Sequence, residues 1–255
     1  MTTHALPISE TFTSIQGEGK LTGVPSFFIR LSGCNLRCRW CDTPYASWNP
    51  EGPKVSIDDL VRMAKESGGD ERGAGRGSVR HAVLTGGEPM MFPGLIELSH
   101  RLRAEAGMHI TIETAGTLIP DDGTGRAAAC DLISISPKLA NSTPHDDPRD
   151  PEGTWAVRHE QRRINLPVLQ RLIDDHPSPA RQFKFVVSSQ TDLAEIDALL
   201  AQLRGWIPDD ILLMPEGIVT PAPALKSMVV QECINRGWRY CSRLHIELFG
   251  NKRGT

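Results

Sequence analysis

Two patterns of apolar and polar positions alternate along the chain. Short runs rich in β-branched and aromatic residues recur at Phe27–Leu31, Ala82–Leu84, Ile110–Glu113, Leu132–Ser136, Phe183–Val187 and Ile211–Met214, and each predicts a strand. Between them the apolar spacing becomes helical. Positions 57, 60, 61 and 64 share one face of a helix over Ile57–Glu66, with Ser56 as its N-cap. Pro93 opens a helix over Gly94–Ala106 that Gly107 stops, and Asp192–Leu203 and Ala222–Arg236 carry the same pattern, the latter closed by Gly237. Leu166–Asp175 is a further helix candidate, with Pro167 near its start. Ser67–Ser78 is Gly-rich and charged, and Asn141–Glu160 is charged with three prolines; both read as solvated insertions. The stretch Trp238–Cys241 then Leu244–Phe249 predicts a last strand or hairpin.

Strands alternating with helices point to an α/β fold with a parallel sheet and crossover helices. About six βα units fall short of the eight that close a full barrel. The expected architecture is an open, partial TIM-like barrel built as one domain over residues 1–255.

Composition changes this picture little. At 255 residues, 39% hydrophobic and 23% charged, the chain has the make-up of a globular protein with a full core. A formal charge of −3 gives no basic field for nucleic acid, so the expected partner is a small molecule. No uninterrupted apolar run of ~18 residues is present, which predicts no membrane span. Met1–Pro7 lacks a basic segment followed by an apolar one, so no signal peptide is expected, and the predicted compartment is the reducing cytoplasm.

The cysteines carry the strongest chemical signal. Cys34, Cys38 and Cys41 form a C-x3-C-x2-C run directly after a predicted strand. Thiolates so close on a loop can converge on a soft metal centre. A closed zinc site wants four ligands, whereas three cysteines on a 4Fe–4S cluster leave one iron open. Zinc, or three unrelated buried thiols, remain the plainer alternatives. Cys130, Cys233 and Cys241 are scattered and read as small buried hydrophobes.

In parallel α/β folds the functional loops follow the carboxyl ends of the strands. Here those positions hold the cysteine loop, Thr85-Gly86-Gly87-Glu88-Pro89, Glu113-Thr114, Ser136-Pro137-Lys138, Ser188-Ser189-Gln190 and Met214-Pro215-Glu216-Gly217. Gly86-Gly87 lets backbone approach a ligand, or simply turns the chain. Glu113 is read as a carboxylate at the mouth of the barrel rather than a helix cap. Ser136 and Lys138 could take ribose hydroxyls or a carboxylate. Ile15-Gln16-Gly17-Glu18-Gly19 suits a flat polar ligand; with no strand predicted before it and no G-x-G-x-x-G, it is not a dinucleotide fingerprint. Arg30, inside an apolar strand, needs an anionic partner, which is either a substrate carboxylate or an internal acid.

The cysteine run followed by Gly86-Gly87-Glu88-Pro89 resembles the radical S-adenosylmethionine (SAM) superfamily. Within it, Gln16-Gly17-Glu18-Gly19, the run Gly23–Leu36 and Trp40-Cys41-Asp42-Thr43 are similar to the 7-carboxy-7-deazaguanine synthases. The likeness continues through Glu113-Thr114, Ser136-Pro137-Lys138, Leu244-His245 and Gly250–Gly254, so it spans nearly the whole chain. Ala115 and Met214 depart from it, standing where relatives often carry a polar residue and Gln. The resemblance implies that Cys34, Cys38 and Cys41 hold a 4Fe–4S cluster whose fourth iron is chelated by SAM. It implies SAM contacts for Trp40, Gly87, Ser136, Lys138, Met214, Pro215, Glu216 and Gly217. The implied substrate is 6-carboxy-5,6,7,8-tetrahydropterin, a pterin read by Ile15, Gln16, Gly17, Glu18, Arg30 and Thr85. Glu113 and His245 would flank the carbon that loses hydrogen, and Thr43 would seat Mg2+. Ring contraction with loss of ammonia would give 7-carboxy-7-deazaguanine, on the route to queuosine and related deazapurines. The resemblance also implies an electron donor such as flavodoxin. Exposed sheet edges suggest a homodimer.

Two other readings compete. An activating enzyme that places a glycyl radical on a partner protein would share the cysteine loop and the Gly-Gly-Glu-Pro turn but has no need of Gln16–Gly19 or Arg30. A zinc-stapled binding module would carry no catalysis at all.

Overall fold

The computed structural model describes residues 5–67 and 79–255. Strands β1 (Ala5–Ile15), β2 (Pro25–Leu31) and β3 (Lys54–Ser56) precede helix α1 (Ile57–Ser67). Then come β4 (His81–Gly86), α2 (Gly94–Ala106), β5 (His109–Thr114), β6 (Leu132–Ile135), α3 (Thr154–Arg162) and α4 (Leu166–Asp175). The chain continues through β7 (Arg181–Val187), α5 (Gln190–Leu200), β8 (Ile211–Pro215), α6 (Pro223–Arg236), β9 (Arg239–Tyr240) and α7 (Leu244–Phe249).

All strands join one nine-stranded sheet in the order β3-β1-β2-β4-β5-β6-β7-β8-β9. From β2 to β9 every pair is parallel, while β1 pairs antiparallel with both β2 and β3. The parallel strands therefore follow one another without reversal, as in an incomplete barrel wound in a single direction, and the sheet stays open. The expected strands are all present. The last strand expected at Trp238–Cys241 is the short parallel β9, and the sheet gains β1 and β3 as an antiparallel border.

Alternation along the strands sorts side chains onto two faces. Phe27, Ile29 and Leu31 of β2, Ala82 and Leu84 of β4, Ile110 and Ile112 of β5, and Phe183, Phe185 and Val187 of β7 belong to the main core, packed with Leu95, Leu98, Leu102, Leu172, Leu193 and Ile196 of the helices. Of the intervening positions, Phe28, Arg30, Thr85, Glu113, Lys184 and Val186 line the cavity described below, four of them charged or polar. A parallel sheet covered by helices on both sides would be apolar throughout.

The helix signals act as read. Ser56 Oγ accepts from Asp59 N–H (3.1 Å), and Gly107 and Gly237 end α2 and α6 in left-handed conformations (φ 62° and 67°).

Three expectations are corrected. A strand, β1, leads directly into Gln16, where none was predicted. Leu244–Phe249 is helix α7, not part of a hairpin. The Asn141–Glu160 insertion is not a solvated loop: it contains most of α3, and Ser142, Thr143, Asp150, Ala156 and His159 are buried. Apart from Ser67, the Ser67–Ser78 insertion lies outside the described residues. Among those residues no helix is long and apolar enough to cross a membrane.

Candidate active site

A cavity of about 510 Å³ opens on the polar face of the sheet. The cysteine loop follows β2 and turns over the carboxyl ends of the strands. Gly87 allows this docking: a Cβ there would lie 2.6 Å from Ala46 O and 2.7 Å from Cys34 Cβ. Gly87 N–H donates to Leu31 O (3.1 Å) and Glu88 N–H to Gly33 O (2.9 Å), clamping the two turns together. So the Gly-Gly pair first serves approach of backbone to backbone. Glu88 is fully buried and bridges to β5, accepting from Thr114 Oγ1 (2.8 Å), Ala115 N–H (2.8 Å) and Met90 N–H (3.0 Å).

The cysteine loop is gripped from its other side by the segment leading into α3. Arg37 N–H donates to His159 Nδ1 (3.1 Å), which leaves Nε2–H to donate to Ser142 Oγ (2.9 Å). Arg39 N–H donates to Ser142 O (2.9 Å), and Trp40 Nε1 to Asn141 O (3.1 Å). Burial pushes His159 down to about 4, so the ring is neutral.

Cys34, Cys38 and Cys41 all line the cavity and none is in a disulfide. Burial, with the Glu88 carboxylate adding to it, pushes the Cys34 thiol up to about 12, and burial raises Cys38 further. Such thiols ionise when a cationic centre takes up their charge, which suits metal ligation. Among the described residues no three His, Cys, Asp or Glu side chains converge closely enough for a single metal ion. A cubane cluster asks instead for three thiolates spread over three irons, and three free cysteines lining one cavity fit that demand. Next to them, Lys138 Nζ donates to Ser136 Oγ (2.9 Å) and lies 5.4 Å from the Trp40 ring centre. Trp40 packs against Val186, Met214 and Cys241. Thr43 Oγ1 is 3.8 Å from Cys41 Sγ.

Deeper on the polar face, Arg30 of β2 is in register with Thr85 of β4, and Glu113 of β5 with Ser134 of β6. Glu113 accepts from Thr85 Oγ1 (2.9 Å) and Gln16 Nε2 (3.2 Å), and no helix follows it to be capped. Lys184 of β7 donates to Glu18 Oε2, and Arg243 Nε lies 3.4 Å from Glu18 Oε1. Burial alone would raise Glu18, but the charges of Lys184, Arg243 and His245 bring its carboxyl down to about 2. Gly17 is needed because the His245 ring occupies the space of its Cβ, with Cγ at 2.7 Å. Arg30 has an internal acid: its Nε donates to Glu10 Oε1 (2.7 Å).

The match to known proteins agrees with this arrangement. The profile of the radical SAM superfamily covers residues 28–160. The 7-carboxy-7-deazaguanine synthase of Rhodopirellula baltica is 47% identical over 98% of this chain and 89% of its own length. The synthase of Halobacterium salinarum is 42% identical over 98% of this chain and 93% of its own. This chain belongs to the 7-carboxy-7-deazaguanine synthase family of radical SAM proteins. The crystal structure of QueE from Escherichia coli matches with a TM-score of 0.65 and 27% identity, covering 94% of this chain and 95% of that one.

Of the positions singled out by resemblance to this family, the cavity lining brings together Ile15, Gln16, Gly17, Glu18, Arg30, Thr85, Glu113, His245, Trp40, Gly87, Ser136, Lys138, Met214, Cys34, Cys38, Cys41 and Thr43. Pro215, Glu216 and Gly217 lie outside the lining. Glu216 N–H donates to Val187 O (2.8 Å), and Gly217 O accepts from Arg243. Sequence reasoning missed Glu10, Tyr45, Lys184 and Arg243, which line the same cavity. Lys184 was legible: it sits between Phe183 and Phe185 at the position that strand alternation assigns to the face opposite the core. Glu10 was hidden because β1 was not recognised as a strand.

Proposed function

We propose that this protein converts 6-carboxy-5,6,7,8-tetrahydropterin to 7-carboxy-7-deazaguanine and ammonia, the step that serves queuosine biosynthesis. The observation that carries this reading is the family match over nearly the whole chain, which is 47% identity to a named synthase. One cavity that is lined both by the cysteine run and by Gln16, Arg30, Glu113 and His245 supports it. A glycyl-radical activating enzyme is not favoured, because the relatives matched over nearly the whole chain are 7-carboxy-7-deazaguanine synthases and an activating enzyme has no use for the polar face.

Cys34, Cys38 and Cys41 would hold a 4Fe–4S cluster, and when bound with SAM it supplies reductive cleavage of SAM to methionine and a 5′-deoxyadenosyl radical. The chain's own residues then bind and orient. Ser136 and Lys138 offer a hydroxyl and a cation to the ribose or carboxylate of SAM, and Trp40 with Met214 offers an apolar wall to its adenine. Gln16 and the backbone of Ile15 and Gly17 offer donors and acceptors to the pterin edge, beside Glu18 and Thr85. Arg30 has two terminal nitrogens that no described residue takes up, which suits the substrate carboxylate. Glu113 and His245 stand where a proton must be held or moved while the ring contracts. Thr43 would give Mg2+ one hard oxygen, with substrate and water completing its shell. The fold acts as one domain, in a cytoplasmic homodimer served by an electron donor such as flavodoxin.

Anaerobic reconstitution tests this reading. Brown protein with iron and sulfide, releasing 5′-deoxyadenosine and ammonia when the carboxylated pterin is added, is expected. Colourless protein holding stoichiometric zinc would overturn it.

A further inference from the structure

Arg30 faces the cavity from β2, and the residue directly across from it on β1 is Glu10. The Glu10 carboxylate gathers three donors. Its Oε1 accepts from Arg30 Nε (2.7 Å) and from Tyr45 O–H (2.9 Å), and its Oε2 accepts from Arg253 Nε (3.3 Å). Arg253 belongs to the segment after α7, residues 251–255, all of which line the cavity. That arginine is held further by Glu51, by Ser9 O (3.1 Å) and by the Tyr45 ring, 4.2 Å from its guanidinium carbon.

We propose that Glu10 is a positioning residue for the substrate: it fixes the Arg30 guanidinium and ties residues 251–255 to the same cavity wall. The inference rests on the carboxylated pterin being the substrate. A single carboxylate then joins two jobs. Through Nε it sets the plane of a five-donor fork, so that the two terminal nitrogens are already arrayed for a bidentate anion before one arrives. Through Arg253 it holds the chain segment that closes the cavity beside that fork. Tyr45 keeps the Glu10 carboxylate itself in place. An unpaired arginine in this strand would lose rotamer freedom when substrate binds; the Glu10 pair meets that cost during folding. Among the described residues no hydrogen bond or ion pair joins Glu10, Tyr45 or Arg253 to Trp40, Ser136, Lys138 or Met214, so the SAM contacts are independent of it.

The test compares Glu10→Gln, Glu10→Asp, Arg253→Ala and wild type as reconstituted holoenzymes, after each is shown to hold wild-type iron and to give a wild-type circular dichroism spectrum. Glu10→Gln keeps an acceptor for Arg30 Nε but removes the charge that strengthens the bond, a loss that corresponds to about tenfold in affinity. Glu10→Gln should raise KM for 6-carboxytetrahydropterin by about that factor while KM for SAM moves less than about twofold. Arg253→Ala, which releases the 251–255 segment and removes one donor from Glu10 but leaves the Arg30–Glu10 pair, should raise the pterin KM less. Glu10→Asp should recover part of the loss. Because Arg30 and Glu10 act as a unit, Glu10→Gln should add little in an Arg30→Ala background. A wild-type pterin KM in Glu10→Gln, or equal shifts in both KM values, would overturn the proposal. If wild type itself made no product from this pterin, the substrate assignment would fall instead, and the two failures are distinguishable.

Discussion

Glu18→Gln is the most informative single perturbation outside the cysteines. The Glu18 side chain is 14% exposed and lies against Lys184 and Arg243, themselves 7% and 10% exposed. Its carboxyl falls from the usual 4.5 to about 2, the cationic neighbours outweighing the burial that would raise it. At about 1.4 kcal/mol per unit, that difference corresponds to about 3 kcal/mol of native-state stability. The native value lies below the unfolded one, so this contribution is complete above about pH 4.5 and is lost as pH falls toward 2. The amide keeps the shape but removes the charge, leaving two buried cations beside each other, which also costs about 3–5 kcal/mol in comparable broken pairs. Urea unfolding of the reduced apo-protein, wild type against Glu18→Gln, reads the effect. The gap should be about 3 kcal/mol at pH 7 and should narrow between pH 4.5 and 2. Lys184→Met in the Glu18→Gln background should recover part of it by removing the stranded cation. Equal stabilities at pH 7, or a gap that stays constant through that window, would refute the electrostatic account.

Three further outcomes are expected. Cys38→Ala should lose the visible iron–sulfur absorbance on reconstitution while still folding, because the thiol is replaced by a smaller apolar group; retained absorbance and activity would remove Cys38 from the ligand set. Glu113→Gln leaves an acceptor for Thr85 but no carboxylate, so turnover should fall by at least about tenfold while SAM affinity stays near wild type, measured by 5′-deoxyadenosine release and equilibrium binding. Gly87→Ala drives a methyl group into Gly33 O and Ala46 O, backbone that has little room to move, and should cost about 1–3 kcal/mol and lower iron incorporation; a wild-type iron content would show that the docked turn tolerates displacement.

The parallel sheet was legible because its strands are dense in β-branched and aromatic residues, and the helices because their apolar spacing is regular and two of them end on glycine. Gly107 and Gly237 end helices where their sequence positions say they should. What escaped notice lacked local signal. β1 mixes Ser9, Glu10, Thr11, Thr13 and Ser14 into its run, since one side borders the polar cavity, so its apolar alternation is weak. The Asn141–Glu160 segment is rich in proline and charge, yet its buried polar atoms are satisfied in pairs, such as Asp150 accepting from Ala156 N–H (2.8 Å). Composition carries no trace of such pairing. Arg30 was ambiguous for the same reason: local sequence asks for an anion but cannot say which strand brings it. The cysteine run, by contrast, concentrates its chemistry within a few residues, and its reading needed no tertiary information. Pro215, Glu216 and Gly217 end or follow β8 and lie outside the cavity lining, a matter of loop path that strand position does not encode.

The most direct measurement of the central claim is product identity. Anaerobically reconstituted protein would be incubated with dithionite, SAM, Mg2+ and 6-carboxytetrahydropterin and read by mass spectrometry. The account predicts 7-carboxy-7-deazaguanine formed alongside ammonia. Formation of 5′-deoxyadenosine without that product would contradict it, leaving radical SAM chemistry in place but directed at another substrate.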